Sequence, residues 1–362
     1  MTENTFFQLI SPEQFWQESQ SKVVFDVRSP KEFLHAHIPG AINLPLFDDA
    51  QRAEIGTIYK NSGQDSAVLR GLKFAGEKMP ELVTKARKYS AGSQTVLVHC
   101  WRGGMRSQSM GWLLKTGGLE PVVLDGGYKA FRRMAQASFE NPWQLQVVSG
   151  LTGAGKTRVL HLLDEAGQQV LDLEGLANHR GSAFGGIGQA IQPSTEQFEN
   201  DLFQLLDSFN PEQNIWLEDE GNRIGGVVLP RPFYELMRHS PAVFLESSSE
   251  QRVRNLVVDY GDLPAIELAD SILKIRKRLG PQHADEAIKS LETGSVKRAI
   301  EIVLAYYDKT YLKSAHEMPR HDMVSLAIDE LGDSQIVEQA IAVAADIASR
   351  CAEGAVRDRL GL

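Results

Sequence analysis

Two short segments combine reactive side chains with glycines at spacings that suit thiol and phosphate chemistry. The first is Cys100-Trp101-Arg102-Gly103-Gly104-Met105-Arg106-Ser107. It follows the apolar run 95–99 and leads into helical spacing over 108–115. Glycines let successive backbone N–H groups turn inward, and a helix start adds the positive end of its dipole. Such a cradle favours a thiolate at its centre beside a bound oxyanion. A structural cysteine at a strand end is the plainer use of Cys100, but Gly-Gly between two arginines has little packing value. Cys100, Arg102 and Arg106 are therefore candidate catalytic groups. Trp101, Gly103, Gly104, Met105 and Ser107 are the candidate anion cradle.

The second segment, Gly150 to Thr157, fits G-x-x-x-x-G-K-[ST] between a strand at 144–150 and a helix at 156–166, the context this motif needs. The N–H groups of Gly150, Thr152, Gly153, Ala154 and Gly155 would hold a diphosphate. Lys156 would reach its outer oxygens, and the Thr157 hydroxyl would hold Mg²⁺. The strand 214–218 runs into Glu218-Asp219-Glu220. With Thr157, Glu218 and Asp219 are the candidate metal ligands. The motif specifies a di- or triphosphate and does not specify a nucleotide. A third segment, LDLEGLANHRGSAFG at 171–185, is too rich in charge and glycine to be a packing element. Its Asp172, Glu174, His179, Arg180, Gly181 and Ser182 read as a ligand loop.

The elements that must position these groups come in two strand–helix series. The first has strands at 23–27, 95–99 and 121–127, a short helix at 31–36, and a turn into a short strand at 38–45. Its polar stretch 48–92 reads as separate helices around 69–74 and 82–89. Residues 134–143 look like a connector. The second series has strands near 144–150, 168–173, 214–218 and 242–246, then mostly helical pattern from about 251, closing on an amphipathic helix at 336–348. Alternation of this kind predicts parallel α/β sheets. The expected domains are 1–138 and 139–362, the latter with a helical extension.

Composition agrees with two globular cores: 362 residues, 42% apolar and 23% charged. Collagen, long disorder and a small disulfide scaffold are excluded, and no run approaches the ~18 apolar residues of a membrane span. The N-terminal stretch lacks a basic, then apolar, signal pattern, and Cys100 and Cys351 have no metal-ligand spacing. A cytoplasmic chain is expected. The net charge of −9 divides into +4 over 1–138 and −13 over 139–362. That excludes a bulk nucleic-acid coat but leaves room for a local basic groove.

DVRSPKEFLHAHIPGAINLP at 26–45 and VVLDGGYKAF at 122–131 resemble the early and closing signatures of rhodanese domains. Cys100 falls where that family has its sulfur-carrying cysteine. Five residues separate Cys100 from Arg106, one more than is usual in sulfurtransferases of this fold. That spacing, with His99, is similar to cell-cycle dual-specificity phosphatases. Attack on a phosphoester and handling of a chalcogen supplied on phosphate both stay open at this point. The 171–185 segment, together with IGTIYKNSGQDSA at 55–67, WLEDEGNRIG at 216–225 and the order rhodanese then P-loop, resembles the bacterial tRNA 2-selenouridine synthases.

The resemblance implies a rhodanese-like parallel-sheet domain followed by a P-loop NTPase-like α/β domain. It implies geranylation of wobble 2-thiouridine in tRNA by geranyl diphosphate, then exchange of the geranylthio group for selenium from selenophosphate, with Cys100 as the selenium-carrying thiol. For tRNA phosphates, Lys274, Arg276, Lys277 and Arg278 are candidates, against the plainer reading of a solvated helix face. Arg252 and Arg254 would form a lid over the diphosphate or pair with acids. Tyr306, Tyr307 and Tyr311 would stack bases, line a prenyl pocket or fill core. A phosphatase–kinase fusion and an ATP-dependent tRNA sulfurtransferase are the competing readings.

Overall fold

The computed structural model describes residues 6–317 and 322–360, with side chains through 310 and over 322–350. The chain divides into two compact units, Met1–Phe139 with Glu196–Gln204, and Glu140–Thr195 with Leu205–Leu362.

In the first unit the order is β1 (Gln8–Ile10), α1 (Pro12–Ser19), β2 (Val24–Asp26), α2 (Pro30–His35), β3 (Ile42–Asn43), α3 (Asp49–Tyr89), β4 (Thr95–His99), α4 (Met105–Thr116), β5 (Glu120–Leu124) and α5 (Gly127–Ser138). The strands are all parallel, in the order β1-β5-β4-β2-β3. Strands buried on both faces read as continuous apolar runs, which is why 23–27, 95–99 and 121–124 were legible. Phe25, Val96, Val98, Met110, Leu114 and Val123 make the core. Cys100 leaves the C-terminal end of β4, between β5 and β2.

The helices expected around 69–74 and 82–89 are one, and a kink at Gly63 joins it to a further helical segment that starts at 49. α3 starts at a reciprocal cap between Asp48 and Gln51, bends at Gly63 (φ +83°) and continues through Pro80. It buries a stripe of mostly small residues, Ala67, Gly71, Ala75, Leu82 and Ala86. That stripe has little hydrophobic contrast, so the period was weak in the sequence. The connector expected from 134 begins later, because α5 continues to Ser138 on its buried Ala130, Phe131 and Ala135.

The second series runs β6 (Leu145–Gly150), α6 (Lys156–Glu165), β7 (Gln169–Leu171), α7 (Leu173–Leu176), α8 (Thr195–Ser208), β8 (Ile215–Glu218), β9 (Arg223–Ile224), β10 (Val227–Val228), α9 (Arg231–His239), β11 (Ala242–Glu246), α10 (Ser249–Tyr260), α11 (Ala265–Leu279), α12 (Pro281–Glu292), α13 (Val296–Glu317), β12 (Met323–Ala327) and α14 (Asp333–Leu360). Most of α8 groups with the first unit, where Phe203 lies 5.0 Å from Trp16 and 5.7 Å from Phe131, ring centre to ring centre. The sheet of the second unit is parallel, in the order β12-β11-β6-β8-β7, and β9 and β10 form a small antiparallel pair. From β8 the chain crosses over β6 to reach β11. The C-terminal end of β6, where Gly150 stands, is therefore the switch point at which open α/β sheets bind ligands.

β12 interrupts the helical extension expected after 251. It is an edge strand with only Leu326 buried, so its sequence carries almost no period-2 signal. The closing helix is present as α14, with Ile336, Ala340, Ala344 and Ile347 buried along one stripe. Among the described residues no helix is long and apolar enough to cross a membrane.

Candidate functional site

In the first unit Cys100 is buried, with its Sγ 3.2 Å from Ser107 Oγ and 3.9 Å from the Gly104 carbonyl oxygen. α4 begins with Gly104 as its N-cap. Its first-turn N–H groups have no acceptor within the helix and face the loop's side of the sheet end. The closing turn braces this loop. Tyr128 N donates to the Cys100 carbonyl at 2.8 Å and Lys129 N to the Trp101 carbonyl at 3.0 Å. Gly127 has φ +62°, and a Cβ there would overlap Gly103 N and the Cys100 carbonyl oxygen. Gly127→Ala is therefore expected to cost upward of ~2 kcal/mol and to displace the Cys loop. A thermal midpoint lowered by several degrees, with loss of Cys100-dependent chemistry only, is the result to look for.

The early signature supports the loop from below. Asp26 accepts hydrogen bonds from Arg28 Nε at 2.9 Å and from Arg28 N at 2.9 Å. The Arg28 guanidinium also donates to the Ala36 carbonyl at 2.7 Å and lies 3.9 Å from the Tyr128 ring centre. All of these groups are buried, so this signature is structural in its main part. Arg106 is not a free anion ligand. Its guanidinium forks onto Glu32 at 2.6 and 3.2 Å. Burial pushes the Glu32 carboxyl up, and the bonds and charge of Arg106 outweigh it, leaving the group below its ordinary value. Glu32 was missed as a site residue. Its signal was the S-x-x-E cap at Ser29–Glu32, which predicts a helix start and not a partner 74 residues away. A groove between α3 and α4, walled by Phe47, Ile55, Leu72, Met105 and Trp112, opens beside Arg106.

His99 is fully buried with neither ring nitrogen hydrogen-bonded among the described residues, and Asp26 Oδ2 is 3.7 Å from Nε2. Burial lowers its value to about 4, against the pull of Asp26. The unfolded chain takes up this proton first, so stability is full above pH ~6.5 and falls as pH drops toward 4, by at most on the order of 3 kcal/mol. His99→Leu should flatten the decline in thermal midpoint between pH 7.5 and 5. An unchanged decline would place the acid sensitivity elsewhere.

In the second unit Gly150, Gly153 and Gly155 have φ of +149°, +78° and +89°. Lys156 Nζ donates to the Gly150 carbonyl at 3.2 Å. α10 packs directly on the loop. Arg252 Nε donates to the Thr152 carbonyl at 2.9 Å, and Asn255 Nδ2 to that of Gly153 at 2.9 Å. Arg252 is buried and forks onto Asp308, while Arg254 bonds to Glu250 and Gln251. Neither is a lid; Arg252 is a brace.

Thr157 Oγ1 donates to Glu174 Oε2 at 3.3 Å, and the Glu174 N–H donates to Glu218 Oε1 at 2.6 Å. Glu218 is fully buried and its Oε2 has no partner among the described residues. Burial, then the charge of Asp172, pushes Glu218 well up. Burial and Glu174 push Glu220 up to about 8, and burial raises Glu174 against the opposing charge of Lys156. Asp219 is turned away, accepting from Ser149 Oγ at 2.7 Å and Arg238 at 3.3 Å. That departs from its expected place beside Thr157, where the bonded carboxylate is that of Glu174. Among the described residues no three His, Cys, Asp or Glu side chains form a ready metal cage. The excess of buried carboxylate beside Thr157 nevertheless suits Mg²⁺, which takes one or two carboxylates and completes its shell with phosphate oxygens and water.

The ligand loop is held from several sides. Asp172 caps α7 through Gly175 N at 2.7 Å. Gly181, at φ +67°, lies against Glu174 and Glu220, where a Cβ would stand 2.8–2.9 Å from their carboxylate oxygens. Arg180 lies 5.5 Å from the Tyr260 ring centre and donates to the Asp259 carbonyl. Ser182 Oγ accepts from Phe184 N at 3.1 Å. His179 is partly buried, its Nδ1 has no partner among the described residues, and burial lowers its value. Lys274, Arg276, Lys277 and Arg278 are exposed on α11, with Arg276 paired to Asp285. The side chains of Tyr311 and Cys351 lie outside the described residues.

Comparison with known proteins meets the same two sites. Residues 11–134 match the family model described as a rhodanese-like domain. Residues 143–266 match the one described as the tRNA 2-selenouridine synthase AAA domain. The chain is 35% identical over 317 residues to a tRNA 2-selenouridine synthase of Shewanella denitrificans, covering 86% of this chain and 84% of that protein. It is 36% identical to one from Pseudomonas fluorescens, covering 80% and 87%. With one from Bdellovibrio bacteriovorus it shares 34% over 353 residues, covering 84% and 92%. Carrying both domains in this order, and alike over most of both lengths, the chain belongs to the tRNA 2-selenouridine synthase family.

Proposed function

We propose that this protein is an enzyme that converts 2-thiouridine at the wobble position of tRNA into 2-selenouridine in two steps. The thiocarbonyl sulfur attacks C1 of geranyl diphosphate, the C1–O bond breaks and pyrophosphate leaves. The S-geranyl group makes C2 of the base electrophilic. The selenium of selenophosphate then adds at C2, the C2–S bond breaks and geranylthiol departs, and water cleaves the Se–P bond to release phosphate.

The observation that carries this reading is the presence in one family member of an intact phosphate loop, with Thr157 bonded to Glu174, and a braced loop around a buried thiol. The loop amides and Lys156 take up charge on the departing pyrophosphate. Bound Mg²⁺, held by Thr157 and Glu174, would supply further neutralisation there. The Cys100 thiol, beside Ser107 and the N-terminus of α4, handles the selenium. With Arg106 engaged by Glu32, donor phosphate is left to the backbone donors and Arg102. The exposed Lys274, Lys277 and Arg278 offer contacts to tRNA phosphates, and the reaction belongs to the cytoplasm.

Nucleoside mass analysis tests the proposal. A tRNA anticodon stem-loop bearing 2-thiouridine is incubated with the protein, Mg²⁺ and geranyl diphosphate, with and without selenophosphate. A geranylated nucleoside without the selenium donor, and 2-selenouridine with it, is the expected outcome. No mass change in either sample would refute it.

A further inference from the structure

The ion pair of Glu32 with Arg106 ties α2 to the start of α4, beside the Cys100 loop. Glu32 is held from three directions. Arg106 forks onto both of its carboxylate oxygens, Ser29 N donates to Oε2 at 3.0 Å, and Arg52 Nε stands 3.8 Å from Oε2. The side chains of Glu32 and Arg106 are only 24% and 17% exposed. A forked, partly buried pair of this kind is harder to open than a solvated one. Arg52 Nε has no hydrogen-bond partner among the described residues, so a second cation faces the same carboxylate. The loop's other arginine, Arg102, is exposed.

Arg106 is the second residue of α4, whose first-turn N–H groups have no acceptor within the helix. Those donors, with two free guanidiniums beside them, would grip any phosphate dianion. Inorganic phosphate differs from selenophosphate by one oxygen in place of selenium, and it is what remains once the Se–P bond is cleaved. A strong grip on the oxygens they share holds both alike and slows the exit of the product. A weaker grip leaves the selenium beside the Cys100 thiol to tell donor from product. We propose that Glu32 is a specificity-determining residue: by withholding Arg106 it keeps inorganic phosphate from filling the Cys100 loop after selenium transfer. The inference rests on the reading of selenophosphate as the donor and adds the residue that clears its phosphate product.

Titration calorimetry on the full chain with inorganic phosphate, at constant ionic strength, tests this. Glu32→Gln removes the charge that holds Arg106 and keeps the helix cap, since glutamine also accepts from the N-cap N–H at this position. It is expected to bind phosphate at least ~10-fold more tightly than wild type. Adding Arg106→Gln to it should return the affinity to that of wild type, because the gain runs through the freed arginine. Arg106→Gln alone should stay within about twofold of wild type, and it decides the matter if Glu32→Gln does not fold. Phosphate bound at the phosphate loop is common to all four proteins and cancels in the comparison. An unchanged affinity in Glu32→Gln, a gain that survives the loss of Arg106, or a ~10-fold loss in Arg106→Gln alone would each overturn the proposal. Phosphate binding is read without any turnover, so a failure of selenophosphate to yield 2-selenouridine would refute the proposed reaction and leave this result distinct from it.

Discussion

Lys156→Ala is expected to lower the rate of S-geranylation at least ~100-fold, the usual cost of removing one preorganised donor from a developing negative charge. Lys156 stands at the N-terminus of α6, with its Nζ 3.2 Å from the Gly150 carbonyl. It is also the cation set against Glu174 and Glu220, whose carboxyls its charge pulls down. Its removal leaves those buried acids facing the phosphates without compensation, so the effect should exceed that of one lost hydrogen bond. Single-turnover formation of the geranylated nucleoside is the measurement. A stem-loop supplied already geranylated bypasses the phosphate loop, and on it Lys156→Ala should form 2-selenouridine at a rate close to wild type. An unaltered geranylation rate would remove the phosphate loop from the chemistry.

Cys100→Ser should separate the steps in the opposite sense. The substitution is nearly isosteric, and the braces on the loop are backbone bonds from Tyr128 and Lys129 to the carbonyls of Cys100 and Trp101. The fold should therefore survive. A hydroxyl lacks the nucleophilicity and softness of a thiolate. Geranylated tRNA is expected to accumulate while 2-selenouridine formation falls ~100-fold or more. Full selenation by Cys100→Ser would show that the thiol does no chemistry and that the loop only binds the donor.

Both candidate loops were legible because each is a contiguous device. Glycines at set spacings, a strand before and a helix after, are enough to define an inward-facing row of N–H groups. The buried strands were legible for a similar reason, since β4 and β6 are nearly uninterrupted apolar runs. Partners were not. Glu32 meets Arg106 across 74 residues, and Arg252 meets Asp308 across 56. No local pattern encodes either meeting. The acids at the end of β8 lay between these cases. Side chains alternate along a strand, so Glu218 and Asp219 face opposite ways. Which of them turns toward Glu174 depends on the register of β8 against β6, where Glu218 pairs with Val148.

By itself, then, the sequence determined a thiol loop, a phosphate loop, two parallel α/β sheets and the family that joins them, because nearest-neighbour geometry and periodicity decide such features. Tertiary structure alone decided that Arg106 is bound to Glu32, that Asp219 turns toward Ser149 and Arg238, and that residues 196–204 join the first unit. It also decided that α10 packs on the phosphate loop through Arg252 and Asn255. Each of these depends on which surfaces meet when elements distant in the chain bury their apolar faces, and that choice is made by packing.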